Sequence, residues 1–255
     1  LGYIVSPWGA HRFGTPIPAI SVAVEDALFL REALKKYTVT AQLQVETKLT
    51  KGVAYNVIGI LRGTEKPDEF LYVIDHSDTI HTTPGANDNA SGMSIVLETA
   101  RLLSKYRPKR SVAFLIVSGE EGGCIGASQY VEKYADELHR IKALINFDIS
   151  GIGGRLYLIE ETNRFPYGLS PAKVIKPPDW LLNYVREVGR QLGFRLETRK
   201  AFICGDEGPF LDAGVPAIAL FGRSDPYYHC EGDDINRKDL DVTSLKAQSE
   251  IAATA

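Results

Sequence analysis

From residue 51 onward, short and nearly all-apolar runs alternate with stretches of helical periodicity, and three of those runs lead into histidine, aspartate or glutamate side chains. The run Phe70–Asp75 leads into His76, Ser111–Ser118 into the pair Glu120-Glu121, and Ala143–Phe147 into Asp148. Strands apolar on both faces belong to a mostly parallel sheet covered by helices on each side, so the expected class is α/β with three layers, α/β/α. In such an open sheet, ligands bind in the crevice at the carboxyl ends of the strands. One rim therefore receives an imidazole and several carboxylates, with Asp88 and His229 as further candidates. Clustered carboxylates repel unless protonated or neutralised by cations, and imidazole with carboxylate suits zinc or a similar ion. The pattern predicts a metallohydrolase with its metal site at the strand ends.

Strands are expected at 56–62, 70–75, 111–118, 144–147, 155–159 and 217–221, with helices near 90–106, 124–138, 179–192 and 239–252. The first two strands read as an antiparallel hairpin turning over Gly63 to Asp68. Residues 1–50 differ: a Pro16–Ile20 stretch precedes a helix-like run over Glu25–Lys36, and Val39–Val45 alternates as a strand. The expected division is an N-terminal appendage over 1–50 and a catalytic domain over 51–255.

The 255 residues suffice for one sizeable core. A net charge of -3 and the lack of any Lys/Arg run give no support for a nucleic-acid surface. No apolar stretch reaches the roughly 18–20 residues of a membrane helix. No signal peptide is visible, and the chain opens on Leu1 rather than Met, which leaves room for upstream sequence. Three cysteines are too few and too scattered for a disulfide scaffold.

Each motif has an ordinary reading beside a chemical one. His76-Ser77-Asp78 puts a carboxylate where it can accept the second ring N–H of a metal-bound imidazole; alone, that spacing is common. In Pro84–Gly92, Asn89 or Ser91 serves as a helix cap, whereas the small residues around Asp88 suit close approach to an ion. Glu120-Glu121 is the sharpest signal: if Glu121 binds a metal, Glu120 stands where a general base should. Asp148 could equally be a helix cap or surface acid, and Tyr227-Tyr228-His229 an aromatic loop. Asp206 most simply caps the helix running towards Leu211. His11, His81 and His139 lack such context and read as surface or structural.

Taken in order, H-S-D, P-G-A-N-D-N-A-S-G, E-E-G, N-F-D, G-D-E-G-P-F and Y-H resemble the two-zinc aminopeptidases, a family that includes secreted bacterial leucyl aminopeptidases and has glutamate carboxypeptidase and glutaminyl cyclase as relatives. The resemblance covers about residue 53 to the C-terminus. It implies that Asp88 bridges two divalent metal ions, zinc by preference with cobalt or manganese as alternatives. His76 and Asp148 then complete one ion, and Glu121 and His229 the other. Glu120 becomes the general acid/base, Asp78 orients His76, and the Asp88–Asn89 peptide bond is expected to be cis. Tyr227, Tyr228 and Asp206 are candidates for contact with the substrate or its oxyanion. Residues 1–45 are similar to the last part of a protease-associated domain.

The implied activity is release of N-terminal residues from a peptide with a free N-terminus, and the resemblance favours a secreted or cell-surface location. Alternatives are a carboxypeptidase or dipeptidase on the same fold, for which Arg199, Lys200 and Arg223 would supply basic groups, or a non-catalytic binding homologue. Cys204 and Cys230 could pair in a disulfide if their loops line one crevice; three separate thiols are the simpler expectation. Oligomeric state, side-chain preference and native metal are left open by the sequence.

Overall fold

Runs rich in Val, Ile, Leu and Phe pair, in the computed structural model, into one eight-stranded mixed sheet. The structure describes residues 22–255 apart from 45, 47–49, 82, 165–172, 203 and 223. The strands are β1 (Val57–Leu61), β2 (Lys66–His76), β3 (Arg110–Val117), β4 (Ile141–Asp148), β5 (Leu156–Arg164), β6 (Lys173–Ile175), β7 (Leu196–Lys200) and β8 (Ala217–Phe221). Their order is β1-β3-β2-β4-β8-β5-β6, with β7 pairing β5. The central strands β3, β2, β4 and β8 are parallel, and β1 closes one side antiparallel to β3.

Side chains on these strands alternate between two apolar layers, as the period of a strand requires. Val73, Val112, Ile145, Phe147 and Leu220 pack beneath helices α2 (Ala90–Leu103), α4 (Asp179–Gln191) and α6 (Val242–Thr254). On the other face Tyr72, Ile74, Leu115 and Leu144 pack with residues of α3 (Ile125–Lys133) and α5 (Glu207–Asp212). Burial of Ile74, Leu115, Leu144 and Phe147 is complete. Each such side chain contributes about 1.5–3 kcal/mol of apolar transfer. The strand ends inherit this rigidity.

Two expectations fail. The hairpin over 56–75 does not form: β3 lies between β1 and β2. The chain leaving β1 instead crosses the start of β3, where the main-chain N–H groups of Thr64 and Glu65 donate to the carbonyls of Pro108 and Lys109. Gly63 permits the crossing, since a Cβ there would lie 2.5 Å from the Arg110 carbonyl carbon. Residues 39–44 form no strand, and Val45 and Pro16–Ile20 lie outside the described residues. Strands β6 and β7 were not anticipated.

The chain divides into two compact units, 1–53 and 54–255. The first contains α1 (Val24–Leu34), none of whose residues is buried. Among the described residues, no helix is long and apolar enough to cross a membrane.

Candidate metal centre

Five pieces of chain meet at the carboxyl edge of the parallel strands. Strand β2 ends on His76 and β4 on Asp148. Glu120 and Glu121 occupy the turn between β3 and α3. Asp88 precedes the amino end of α2, where the Asn89 side chain accepts from the Gly92 N–H. His229 comes from the irregular segment between β8 and α6.

Asp88 joins two clusters. Its Oδ1 lies 3.4 Å from His76 Nε2, which is also 3.4 Å from Asp148 Oδ1. Its Oδ2 lies 3.3 Å from His229 Nε2, itself 3.2 Å from Glu121 Oε2. In each triad, His76/Asp88/Asp148 and Asp88/Glu121/His229, one donor atom per residue lies within 4.8 Å of the others. Several donors have no protein partner: His76 Nε2, Asp148 Oδ1 and Glu121 Oε1 are buried without a hydrogen bond. Buried polar atoms left unpaired are costly, so nitrogen and oxygen donors converging without partners fit a bound cation of the zinc type.

Protonation tells the same story. Burial by itself would depress His76, yet the carboxylates of Asp148 and Asp88 hold its pKa well above the usual value. Burial opposes protonation of His229 too, but Asp88 and Glu121 push it up to about 9. The Asp88 carboxyl is raised by burial and then brought down to about 2 by His229 and His76. Without an ion, two imidazolium rings thus supply the positive charge the carboxylates demand.

Asp78 acts differently from expectation. The His76 ring Nδ1–H donates to the Asp78 main-chain carbonyl at 3.0 Å, while the Asp78 carboxylate Oδ1 is 3.7 Å from Nδ1. A carbonyl only accepts, so Nδ1 bears the proton and Nε2 faces the carboxylates. The Asp78 carboxylate instead accepts the main-chain N–H groups of Glu120 and Glu121, and so sets the turn that presents them. Glu120 Oε2 lies 3.9 Å from His76 Nε2. Burial pushes its carboxyl pKa well above the usual range, with His76 opposing and Asp206 and Asp148 adding to the rise.

Of the two tyrosines, Tyr228 faces the centre. Its ring stacks 3.6 Å from that of His229, and burial together with Asp88, Asp148, Glu120 and Glu121 raises its hydroxyl pKa. The Tyr227 ring lies under the Arg237 guanidinium, 4.9 Å away. Asp206 stands at the start of α5 but makes no capping bond. It is fully buried with both carboxylate oxygens unpaired, and burial raises its pKa well above normal. The helix-cap reading is therefore corrected: the side chain points into the protein rather than along its own helix. The cysteines are three free thiols, with no Cys204–Cys230 bridge. His81 and His139 are exposed, and His11 and Arg223 lie outside the described residues.

Sequence reasoning missed the residues that hold the Asp88 loop. Asn87 Oδ1 accepts from the Gly151 N–H, and Asn87 Nδ2 donates to Asp225. Asp233 receives the main-chain N–H groups of both Asn87 and Asp88. Arg237 binds Asp225, Asp233 and Asp239 together. A lone arginine within the acidic run Asp233-Asp234…Asp239…Asp241 was the available signal. The Asp88–Asn89 peptide bond is cis.

Residues 56–255 match peptidase family M28. Aminopeptidase YwaD of Bacillus subtilis is 30% identical over 234 residues, covering 86% of this chain and 47% of that protein. A maize (Zea mays) protein named "Probable glutamate carboxypeptidase VP8" is 30% identical over 193 residues, 71% of this chain and 26% of its own. Among solved structures, a zinc aminopeptidase from Bacillus subtilis, BSAP, superposes with a TM-score of 0.65 at 26% identity, covering 78% of this chain and 48% of that one. The chain spans about half the length, or less, of these relatives.

Proposed function

The chain belongs to peptidase family M28, and from that membership and the paired triads we propose a metal-dependent exopeptidase that removes N-terminal residues from peptides. The observation that carries the reading is Asp88, whose two carboxylate oxygens each face a different histidine. His76 and Asp148 would hold one ion, Glu121 and His229 the second, and Asp88 both. Zinc suits the donors, as do cobalt and manganese. Divalent ions bound there supply Lewis acidity that polarises a peptide carbonyl and makes the attacking water more acidic.

The remaining work falls to side chains. Glu120, anchored through its main-chain N–H to Asp78, takes the proton of the attacking water and delivers it to the leaving amine. Its buried setting suits this, because burial raises the carboxyl pKa and makes the carboxylate a stronger proton acceptor than a free glutamate. The Tyr228 hydroxyl, kept protonated by the surrounding carboxylates, donates to the oxyanion that develops on the carbonyl. A family match starting at residue 56 and a division of the chain at 53/54 support reading residues 1–50 as an appendage before a catalytic unit.

The maize relative's name supports a second reading, cleavage at a C-terminal acidic residue. Among the described basic groups that reading would use, Lys200 is paired with Glu161 and Arg199 lies 3.4 Å from the Ser224 hydroxyl. Leucine p-nitroanilide set against an N-blocked glutamyl dipeptide separates the two. The proposal expects hydrolysis of the first only, lost on chelation and restored by zinc. Turnover of the blocked dipeptide alone supports the carboxypeptidase, and turnover of neither removes both.

A further inference from the structure

The buried guanidinium of Arg237 lies outside both triads, yet it ties together the two pieces of chain that carry Asp88 and His229. All five of its N–H donors are engaged: two by Asp225, one by Asp233 and two by Asp239, at 2.7–3.0 Å. Its side chain and those of Asp225 and Asp233 are almost wholly out of solvent. From the same carboxylates the network passes directly into the loop before α2. Asp233 Oδ1 accepts the Asn87 N–H at 2.8 Å, its Oδ2 accepts the Asp88 N–H at 2.9 Å, and Asp225 Oδ2 accepts from Asn87 Nδ2 at 2.7 Å. His229 lies between Asp225 and Asp233 in the chain.

We propose that Arg237 is a positioning residue for the Asp88/Glu121/His229 triad, acting through Asp225 and Asp233 to fix the Asp88 loop relative to His229. This rests on the metal-binding reading above. The effect is selective for one triad because the Asp88 loop has separate anchors on the other side. Asn87 Oδ1 accepts from the Gly151 N–H, and Asn89 Nδ2 donates to the Phe147 carbonyl, which ties the loop to the end of β4 that carries Asp148. Loosening the Arg237 clamp leaves those bonds in place. It frees only the relation between Asp88 and His229. A lysine at 237 would keep the charge but offer three donors in no fixed plane, too few for three carboxylates.

Cobalt(II) titration of the metal-free protein, followed by visible absorption and calorimetry, tests this through affinity rather than turnover. The wild type is expected to bind two equivalents; binding none would overturn the metal-centre reading itself. Asp233→Asn replaces an acceptor with an NH2 that faces a main-chain N–H. It should leave one equivalent within about threefold of wild type and weaken the other roughly 10- to 100-fold, as loss of a supporting partner typically does. Asp239→Asn, which alters a partner of Arg237 and leaves the carboxylates that accept from Asn87 and Asp88 intact, should keep both within about threefold. Unchanged binding in Asp233→Asn, or equal weakening of both equivalents, would overturn the positioning role while leaving the metal centre standing. If circular dichroism shows that Asp233→Asn does not fold, Arg237→Lys carries the same comparison against Asp239→Asn.

Discussion

The side chains of the candidate metal centre come from two kinds of chain. His76 and Asp148 sit at the ends of β2 and β4, which are hydrogen-bonded to each other and share a core sealed from water. Asp88 and His229 sit in chain without regular structure, held by hydrogen bonds and ion pairs to Asp225, Asp233 and Arg237. The backbone shows the same contrast: His229 itself adopts a left-handed conformation, φ 59, which costs a non-glycine residue of order 1–3 kcal/mol and persists only where the surroundings impose it. Apolar burial positions a residue along a strand at no electrostatic cost. A loop that must bring its own ligand into an acidic pocket needs charge to hold it, and here an arginine supplies it.

Asp88 belongs to both triads, so its removal has the largest expected effect. Asp88→Ala should lose both metal equivalents, by elemental analysis after gel filtration, and all activity above background. Full retention of either equivalent would show that the triads do not depend on a shared carboxylate. Next is Glu120→Gln, which separates holding the metals from using them. Both equivalents should stay while kcat falls at least about 10²-fold; near-normal turnover would make Glu120 a bystander.

The strand-held half is probed by Leu220→Ala, which removes a fully buried side chain from β8. Unfolding in denaturant should lose about 2–5 kcal/mol, with metal affinity preserved. A fall in affinity without a fall in stability would reverse the comparison. The smallest effect is a pH dependence beneath β4, where Asn146 Nδ2 donates to the buried Glu207. Burial raises the Glu207 pKa to about 7 from 4.5. A raised acid binds its proton more tightly folded than unfolded, so its stabilising contribution is full below pH 4.5 and is lost as pH rises through about 7. In chelator, wild type should therefore lose on the order of 3 kcal/mol more stability than Glu207→Gln between pH 4.5 and 8. Parallel pH profiles would mean that Glu207 stays ionised throughout.

Legibility in the sequence follows the same divide. Strands β3, β4 and β8 could be read because both of their faces are apolar, and the ligands at or just after strand ends came with them. The hairpin over 56–75 was misread because nothing local announces that β3 inserts between β1 and β2. Strand β7, Leu196-Glu197-Thr198-Arg199-Lys200, is half polar and pairs only with β5, so no apolar run marks it. Asp206 looked like a cap because burial is invisible in a sequence, and nothing in the sequence marks Arg237 as buried either. A charged residue declares its role only through what surrounds it.

A carboxylate that serves two sites also makes them answer to each other. An ion held by His76, Asp148 and Asp88 would draw electron density from the Asp88 carboxylate, and at the same time would fix the orientation in which that carboxylate meets His229. The first effect makes the second occupancy less favourable and the second makes it more so. Whichever prevails, thermodynamic reciprocity requires the influence to be equal in both directions. A metal that discriminated at one triad would therefore change selectivity at the other, and the metal content of the centre would be a property of the pair.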